Sequence, residues 1–248
     1  MVIRAVTAGW SLPAGDAAAF PGEGSQLQRY ARVCPGVEVN SSFHRAHRPS
    51  TWTRWASEAP AAFRLAVKLP RAITHDARLV GAGPRLEAFL AEIDGLGKRL
   101  GPLLVQLPPS LAFDADVAEG FFGALRQRHG GAVVCEPRHP SWFAADAEAM
   151  LAAHAIARVG ADPAPVAAAA QPGGWSGPAP DGTPGVVYFR WHGSPRRYWS
   201  AYGPAWLQAR ADELARLDPA LDVWCVFDNT AGGAATANAL ELQRLAGR

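Results

Sequence analysis

The chain has 248 residues, 49% of them hydrophobic and 19% charged, with a formal net charge of +2. That length suits one α/β barrel or two small domains and is ample for a large core. So small a charge gives no grounds for a nucleic-acid or membrane surface, though it excludes neither, and no apolar run approaches a membrane span.

In chain order, Val2–Gly9 reads as a first strand and Ser25–Val33 as a short helix. Val37–Ser42 is a second strand, followed from about Pro49 by a helix with Trp52 and Trp55 on one face. Phe63–Leu69, Pro102–Leu107 and Ala132–Glu136 are further strands, separated by helices over Pro84–Arg99 and Asp116–Arg128. A helix over Ala144–His154, then strands over Ile156–Ala161, Val186–Trp191 and Val223–Phe227, complete the set, with helices over Pro204–Leu217 and Ala234–Leu245. Strands alternating with helices imply a parallel sheet, and eight such units are the count that closes a barrel. The expected fold is a single α/β domain over residues 1–248, a TIM-like (β/α)8 barrel. Residues 163–184 break the pattern: QPGGWSGPAPDGTPG is full of helix breakers and replaces most of the sixth helix. It is expected as a rim loop or partial lid, with a helical turn or two over Val166–Ala170 and Trp175 packing down, the alternative being a disordered surface insertion.

Cys34, Cys135 and Cys225 form no CxxC pair, and two of them fall inside predicted strands. They read as small buried hydrophobes in a reducing compartment. The opening MVIRAVTAGW lacks a signal-type apolar region, so a cytoplasmic location is expected.

Chemistry gathers where strands end. In AVVCEPRHPSWF a β-branched run stops at Glu136, Arg138 and His139, charges that are costly to bury unpaired. Residues two apart on a strand share a face, so Glu136 aligns with Arg138, Glu38 with Asn40, and Arg190 with His192, while Cys135 turns under the helices. Lys68, Gln106, Asp162 and Asp228 add single polar tips. Barrel enzymes build their sites at these C-terminal strand ends. The competing reading is an ion-pair network that only plugs the barrel. Arg196 and Arg197, with Gly232 and Gly233 ahead of the last helix, suggest an anion site. The alternative is that the glycines merely turn the chain.

Metal ligation would draw on His75, His139, His192, Glu136 and Asp228, yet none shows HxH or HExxH spacing. Arg138 and Arg190 would compete for the carboxylates. No cofactor or metal is therefore expected, with a divalent ion as the lesser alternative. His44, His129 and His154 read as surface or packing residues.

The stretches TAGW, VEVNSSFHR, FRLAVKLPRAITH, LGPLLVQLPPS, VVCEPRHPSW, YFRWHG and VFDNTAGGAATANA run from one end of the chain to the other. With them the sequence resembles the YecE-like family, a domain of unknown function. The resemblance implies a TIM-like barrel and a pocket of Trp10, Glu38, Asn40, Lys68, His75, Gln106, Glu136, Arg138, His139, Asp162, Arg190, His192 and Asn229. The chain departs from the family pattern at Asp228, where an asparagine is usual, and at His44, where a tyrosine is frequent.

The expected function is that of an enzyme acting on a small, polar, anionic molecule of sugar-phosphate or hydroxy-acid type. Glu136 and His192 would move protons, with His139 beside them. Lys68 would steady negative charge, with a Schiff base as its variant role, and Arg138 and Arg190 would hold the anion. Asn40 and Gln106 would orient hydroxyls, and Trp10 would cover a sugar face. One alternative is a metal-assisted hydrolase or phosphodiesterase acting on phosphate esters or nucleic acid. Another is a non-catalytic module that binds a metabolite or partner. No residue pattern sets an oligomeric state.

Overall fold

The computed structural model describes residues 2–247. Its strands are β1 (Val2–Thr7), β2 (Gly36–Val39), β3 (Arg64–Lys68), β4 (Leu100–Gln106), β5 (Val133–Glu136), β6 (Ala157–Arg158), β7 (Gly160–Asp162), β8 (Gly173–Gly174), β9 (Val186–Trp191) and β10 (Asp222–Phe227). The helices are α1 (Gln26–Ala31), α2 (Ser41–His44), α3 (Pro49–Glu58), α4 (Gly83–Ile93), α5 (Ala115–Arg126), α6 (Ala145–Ala153), α7 (Pro204–Leu214) and α8 (Ala234–Ala246).

The strands form two sheets, one ordered β1-β10-β9-β7 and the other β2-β3-β4-β5-β6-β8. Every pairing is parallel except that of β6 with β8. The fold is thus mixed α/β with parallel sheets; the described residues form no single closed sheet. Two links join the sheets: Ala8 bridges Glu38 in parallel, and the chain from β6 passes through Val159 directly into β7.

Side-chain alternation sorts the core. Val6, Ala66, Leu104, Val134, Val159, Tyr188 and Val226 form one apolar cluster to which both sheets contribute. Their sequence neighbours face the helices: Leu65, Leu103 and Cys135 pack with Trp52, Phe89, Phe122 and Trp142. Ala5, Phe189, Cys225 and Phe227 pack with Leu207 and Ala239. Each fully buried large apolar side chain stabilises by roughly 1.5–3 kcal/mol. Polar residues at the strand ends continue the inner parity, which carries them to the top of the shared core.

Local chemistry sets the helix limits. Ser25 and Gln28 form a reciprocal capping box on α1, and the Asp114 carboxylate accepts from Val117 N at the start of α5. Pro49 begins α3, where its missing N–H costs nothing.

Three expectations change. Pro84–Arg99 is not one helix: α4 stops at Ile93 and a 3-10 turn over Asp94–Arg99 follows, with Gly97 at φ 48. The sixth strand is split across Val159, because β6 pairs with β5 while β7 pairs with β9. Residues 163–184 do not cap the strand ends as a whole, since of that segment only Pro165 borders the cavity there. The rest holds a 3-10 turn (Ala167–Ala170) and β8, then lines the opposite end of the strands with Asp181, Thr183 and Pro184. Trp175 is 38% exposed and donates to Pro178 O within its own loop.

Candidate functional site

Arg190, on β9, is the hub of a buried network. Its Nε and Nη2 donate to the two oxygens of Glu38 at 2.9 and 2.8 Å, a bidentate pair from β2. Its Nη1 donates to Glu136 Oε2 at 2.6 Å, and Nη2 also reaches Asp228 Oδ2 at 2.9 Å. Tyr188, two residues earlier on the same face, donates its hydroxyl to Glu38 at 2.8 Å. His192, two residues later, faces Asp228 through Nδ1 at 3.0 Å and Glu136 through Nε2 at 2.9 Å. Arg138 Nη2 lies 2.7 Å from both Glu136 Oε1 and His192 Nε2. Glu38, Glu136, Arg190 and His192 are at most 1% exposed.

The cluster is charge-balanced: Glu38, Glu136 and Asp228 are offset by Arg138, Arg190 and the nearby Lys68. Burial opposes ionisation of Glu136, but Arg138, Arg190 and His192 together outweigh it and hold the carboxyl well below its usual range. Asp228 is lowered in the same way, burial again being overcome, here chiefly by Arg190 and His192. Burial also disfavours the Arg190 cation, yet the three carboxylates raise its pKa well above the ordinary value.

A cavity of about 490 Å3 opens above this network. Asn40, Lys68, His75, Gln106, Arg138, Arg197 and Asp228 border it, together with Phe43, His44, Arg71, Pro109, Pro165 and Tyr198. Its four cationic side chains, Lys68, Arg71, Arg138 and Arg197, face a single carboxylate, Asp228. Lys68 ends β3 with its ammonium 4.0 Å from the Phe43 ring centre. Among the described residues no hydrogen bond or ion pair reaches that ammonium. Desolvation, helped by Arg190, pulls its pKa down to about 8. His75 is pushed down to about 4 by desolvation, then by Lys68 and Arg71, so it is neutral at pH 7. Its Nδ1 is 2.9 Å from Thr74 Oγ1. Asn40 Oδ1 is buried with no hydrogen-bond partner, an acceptor left open beside the cavity.

The structure does not gather every expected residue here. Glu38, Glu136, Arg190 and His192 lie beneath the cavity and border none of it, so Arg190, expected to hold the anion, is instead taken up by Glu38, Glu136 and Asp228. His139 turns away, its Nδ1 accepting from Ser141 N as the cap of the 3-10 turn Pro140–Phe143. Trp10 packs edge-on against Trp55, with ring centres 4.9 Å apart, rather than over the pocket. The Asp162 carboxylate accepts from Tyr202 OH, and Asn229 is buried, donating to Ser200 O and Asn238 Oδ1. The expected anion site does not assemble as one unit: Arg197 borders the cavity, but Arg196 lies over the Trp199 ring. Gly233 turns the chain at φ 78 into α8 and lines a separate cleft, and Gly232 sits near Trp199.

Several residues escaped the sequence reading. Tyr188 was reachable by parity, since it shares a face with Arg190 and His192. His44, read as a surface residue, borders the cavity. Phe43 lies in α2, Arg71 caps the π-helical turn Ala72–Asp76 and Tyr198 sits in the turn after β9, all past strand ends, where no strand periodicity fixes direction. Among the described residues, no group of three His, Cys, Asp or Glu side chains has the geometry to hold a metal ion. None of their helices is long and apolar enough to cross a membrane.

These features define an α/β protein whose parallel strands end in a buried carboxylate–guanidinium network beneath a cavity lined by Lys68, Arg71, Arg138, Arg197 and Asp228. The family model described as "Protein of unknown function DUF72" matches residues 4–248, and the chain belongs to that family. It is 29% identical over 121 residues to the UPF0759 protein YecE of Escherichia coli strain K12, and equally to that of strain O157:H7. The aligned segment spans 48% of this chain and only 44% of either relative. A crystal structure of a DUF72 family protein from Thermotoga maritima superposes with a TM-score of 0.78 at 22% identity, covering 100% of both chains. One from Enterococcus faecalis gives 0.78 at 18% identity, covering 100% of this chain and 96% of its own.

Proposed function

We propose that the chain is an enzyme that binds a small, polar, anionic molecule in the cavity at the strand ends. A sugar phosphate or a hydroxy acid has the right chemistry. The observation that carries this reading is Lys68, a cavity-lining ammonium that no hydrogen bond or ion pair reaches among the described residues, with Arg197 beside it on the wall, whereas Arg71 pairs with Asp76 and Arg138 with Glu136. An anion would supply Lys68 with a partner. Arg71 and Arg197, nearer the solvent, suit a phosphate or carboxylate as bidentate donors. Asn40 and Gln106 offer amide groups to hydroxyls.

The proton-moving role expected for Glu136 and His192 passes to groups that border the cavity. Lys68, His75 and Asp228 do so, and Lys68, at about 8, lies nearest to neutral. Glu136 and His192 then support the floor and fix Arg138 and Asp228. Of the candidate ligands for a metal-assisted hydrolase, Glu136, Asp228 and His192 are already engaged with one another or with Arg190, which favours the anion-binding reading.

The scaffold in this reading is one closed (β/α)8 barrel. The bond from Gly9 N to Glu38 O, at 2.8 Å, and the unbroken run through Val159 support closure at the two seams. The buried unpaired cysteines fit a reducing cytoplasmic setting.

The test is a thermal-shift titration with inorganic phosphate and glycolate on wild type and Arg197→Ala. Stabilisation by the anions is expected, weakened about tenfold in apparent affinity by the substitution, the low end for a lost charge-assisted hydrogen bond. No stabilisation by any small anion would overturn the reading.

A further inference from the structure

The choice of residue at position 68 carries more information than its charge. Lysine occurs only twice in this chain, at Lys68 and Lys98, while arginine meets nearly every other need for a cation. Lys98 is exposed, whereas Lys68 borders the cavity. A guanidinium would serve as well or better for gripping an anion, since it is planar, permanently charged and bidentate. What an amine adds is a nitrogen lone pair that a carbonyl can capture.

Geometry supports that use. The Nζ of Lys68 projects from the end of β3 over the Phe43 ring and is tied to no acceptor among the described residues, so it is free to turn toward a ligand. Arg71, Arg138 and Arg197 on the surrounding wall would hold an anionic group of the same ligand. His75 and Asp228, also on the wall, are the bases available to shuttle protons.

We infer that Lys68 forms an imine with an anionic aldehyde or ketone, so that the substrate is an oxo acid or a phosphorylated carbonyl compound. The inference rests on the anion-site reading and narrows it. The neutral amine attacks the carbonyl carbon, an N–C bond forms, and the carbonyl π pair moves to oxygen and is protonated. Loss of that hydroxyl as water then closes the C=N bond. Counted from the ammonium and the carbonyl compound, the products are a protonated imine and water, with no net change in protons or electrons. Desolvation lowers the Lys68 pKa to about 8, and Arg190 adds to the effect while Glu38, Glu136 and Asp228 oppose it. About a tenth of the amine is therefore neutral at pH 7.

The experiment incubates the full chain with glyoxylate, pyruvate or glycolaldehyde phosphate, reduces with sodium borohydride, and maps the mass increase by peptide. The expected result is an adduct at Lys68, at least tenfold above that at Lys98, formed with at least one probe. Its rate should rise about tenfold per pH unit below 8 and level off above. Lys68→Arg should abolish the adduct. Adduct persisting in Lys68→Arg, or labelling of Lys98 equal to that of Lys68, would overturn the inference. So would absence of adduct with all three probes while phosphate still stabilises the protein, which would leave the anion site standing. Absence of both effects would bring down the site reading itself. The wild-type peptide map decides the matter even where the variant does not fold.

Discussion

Arg190 binds three carboxylates that arrive from three different strand ends, and Arg190, Glu38 and Glu136 are at most 1% exposed, so protein groups rather than water must satisfy them. Removing one partner from such a cluster strands the others in a medium that cannot solvate them. Glu136→Gln therefore loses the charge facing Arg190, Arg138 and His192 and should destabilise by about 3–5 kcal/mol, read from the denaturant midpoint. The same groups set acid sensitivity. Glu136 and Asp228 have folded-state pKa values below their unfolded ones, so the unfolded chain binds protons more readily. Their contribution is fully present above the usual carboxylate range and is lost as pH falls through the folded values. Acid unfolding followed by circular dichroism should be shallower in Glu136→Gln; equal steepness would show that other carboxylates set the acid limb. Lys68 has the opposite sign. Its pKa is depressed to about 8, so its charge opposes folding below that pH and the penalty fades as pH rises toward the unfolded value. Lys68→Met is expected to raise the unfolding midpoint at pH 7 and to lose that gain by about pH 10.5. Such a gain is what removing a desolvated cation without an ion-pair partner among the described residues gives.

At the scale of elements, the caps and the broken sixth strand are the places where single changes tell most. Asp114 accepts from Val117 N at 3.1 Å, so Asp114→Ala should cost about 1 kcal/mol. Gly160, just past the break at Val159, lies against the loop that replaces the sixth helix. A Cβ there would meet Pro172 Cδ at 2.9 Å and Phe189 at 3.0 Å. Gly160→Ala is thus expected to destabilise by about 1–3 kcal/mol through overpacking. An unchanged melting temperature would mean that Pro172 moves aside freely. The elements themselves were legible where periodicity is strong, as in Val186–Trp191, whose alternation puts Arg190 on one face with His192, though not at the cavity wall. They were not legible where glycine cut a helical pattern at Asp94–Arg99 or where one strand serves two sheets. A break of that second kind depends on which neighbour each half pairs with, and neighbours are set by tertiary packing.

For the whole molecule, the question is whether the two sheets act as one ring. Hydrogen exchange at Gly9 reads this directly, because its amide donates to Glu38 O across the seam between β1 and β2. Protection as strong as that of the amides inside β1 is expected for a closed barrel, whereas exchange faster by orders of magnitude would mean an open seam.

The sequence by itself determined the alternation of strands and helices, the face of each strand that carries polar ends, and the family. All three rest on local spacing, which strand and helix geometry translate directly into direction. It could not determine which polar ends border the cavity. Glu136 and Lys68 both end strands, yet tertiary packing closes Arg138 and Asp228 over the first and leaves the second open to the cavity. His139 and Trp10 carry the right chemistry, but each lies past a strand end, where a cap at Ser141 and a ring contact with Trp55 redirect them. Beyond the last hydrogen-bonded residue of a strand, the period of two no longer fixes where a side chain points, and contacts between distant segments decide.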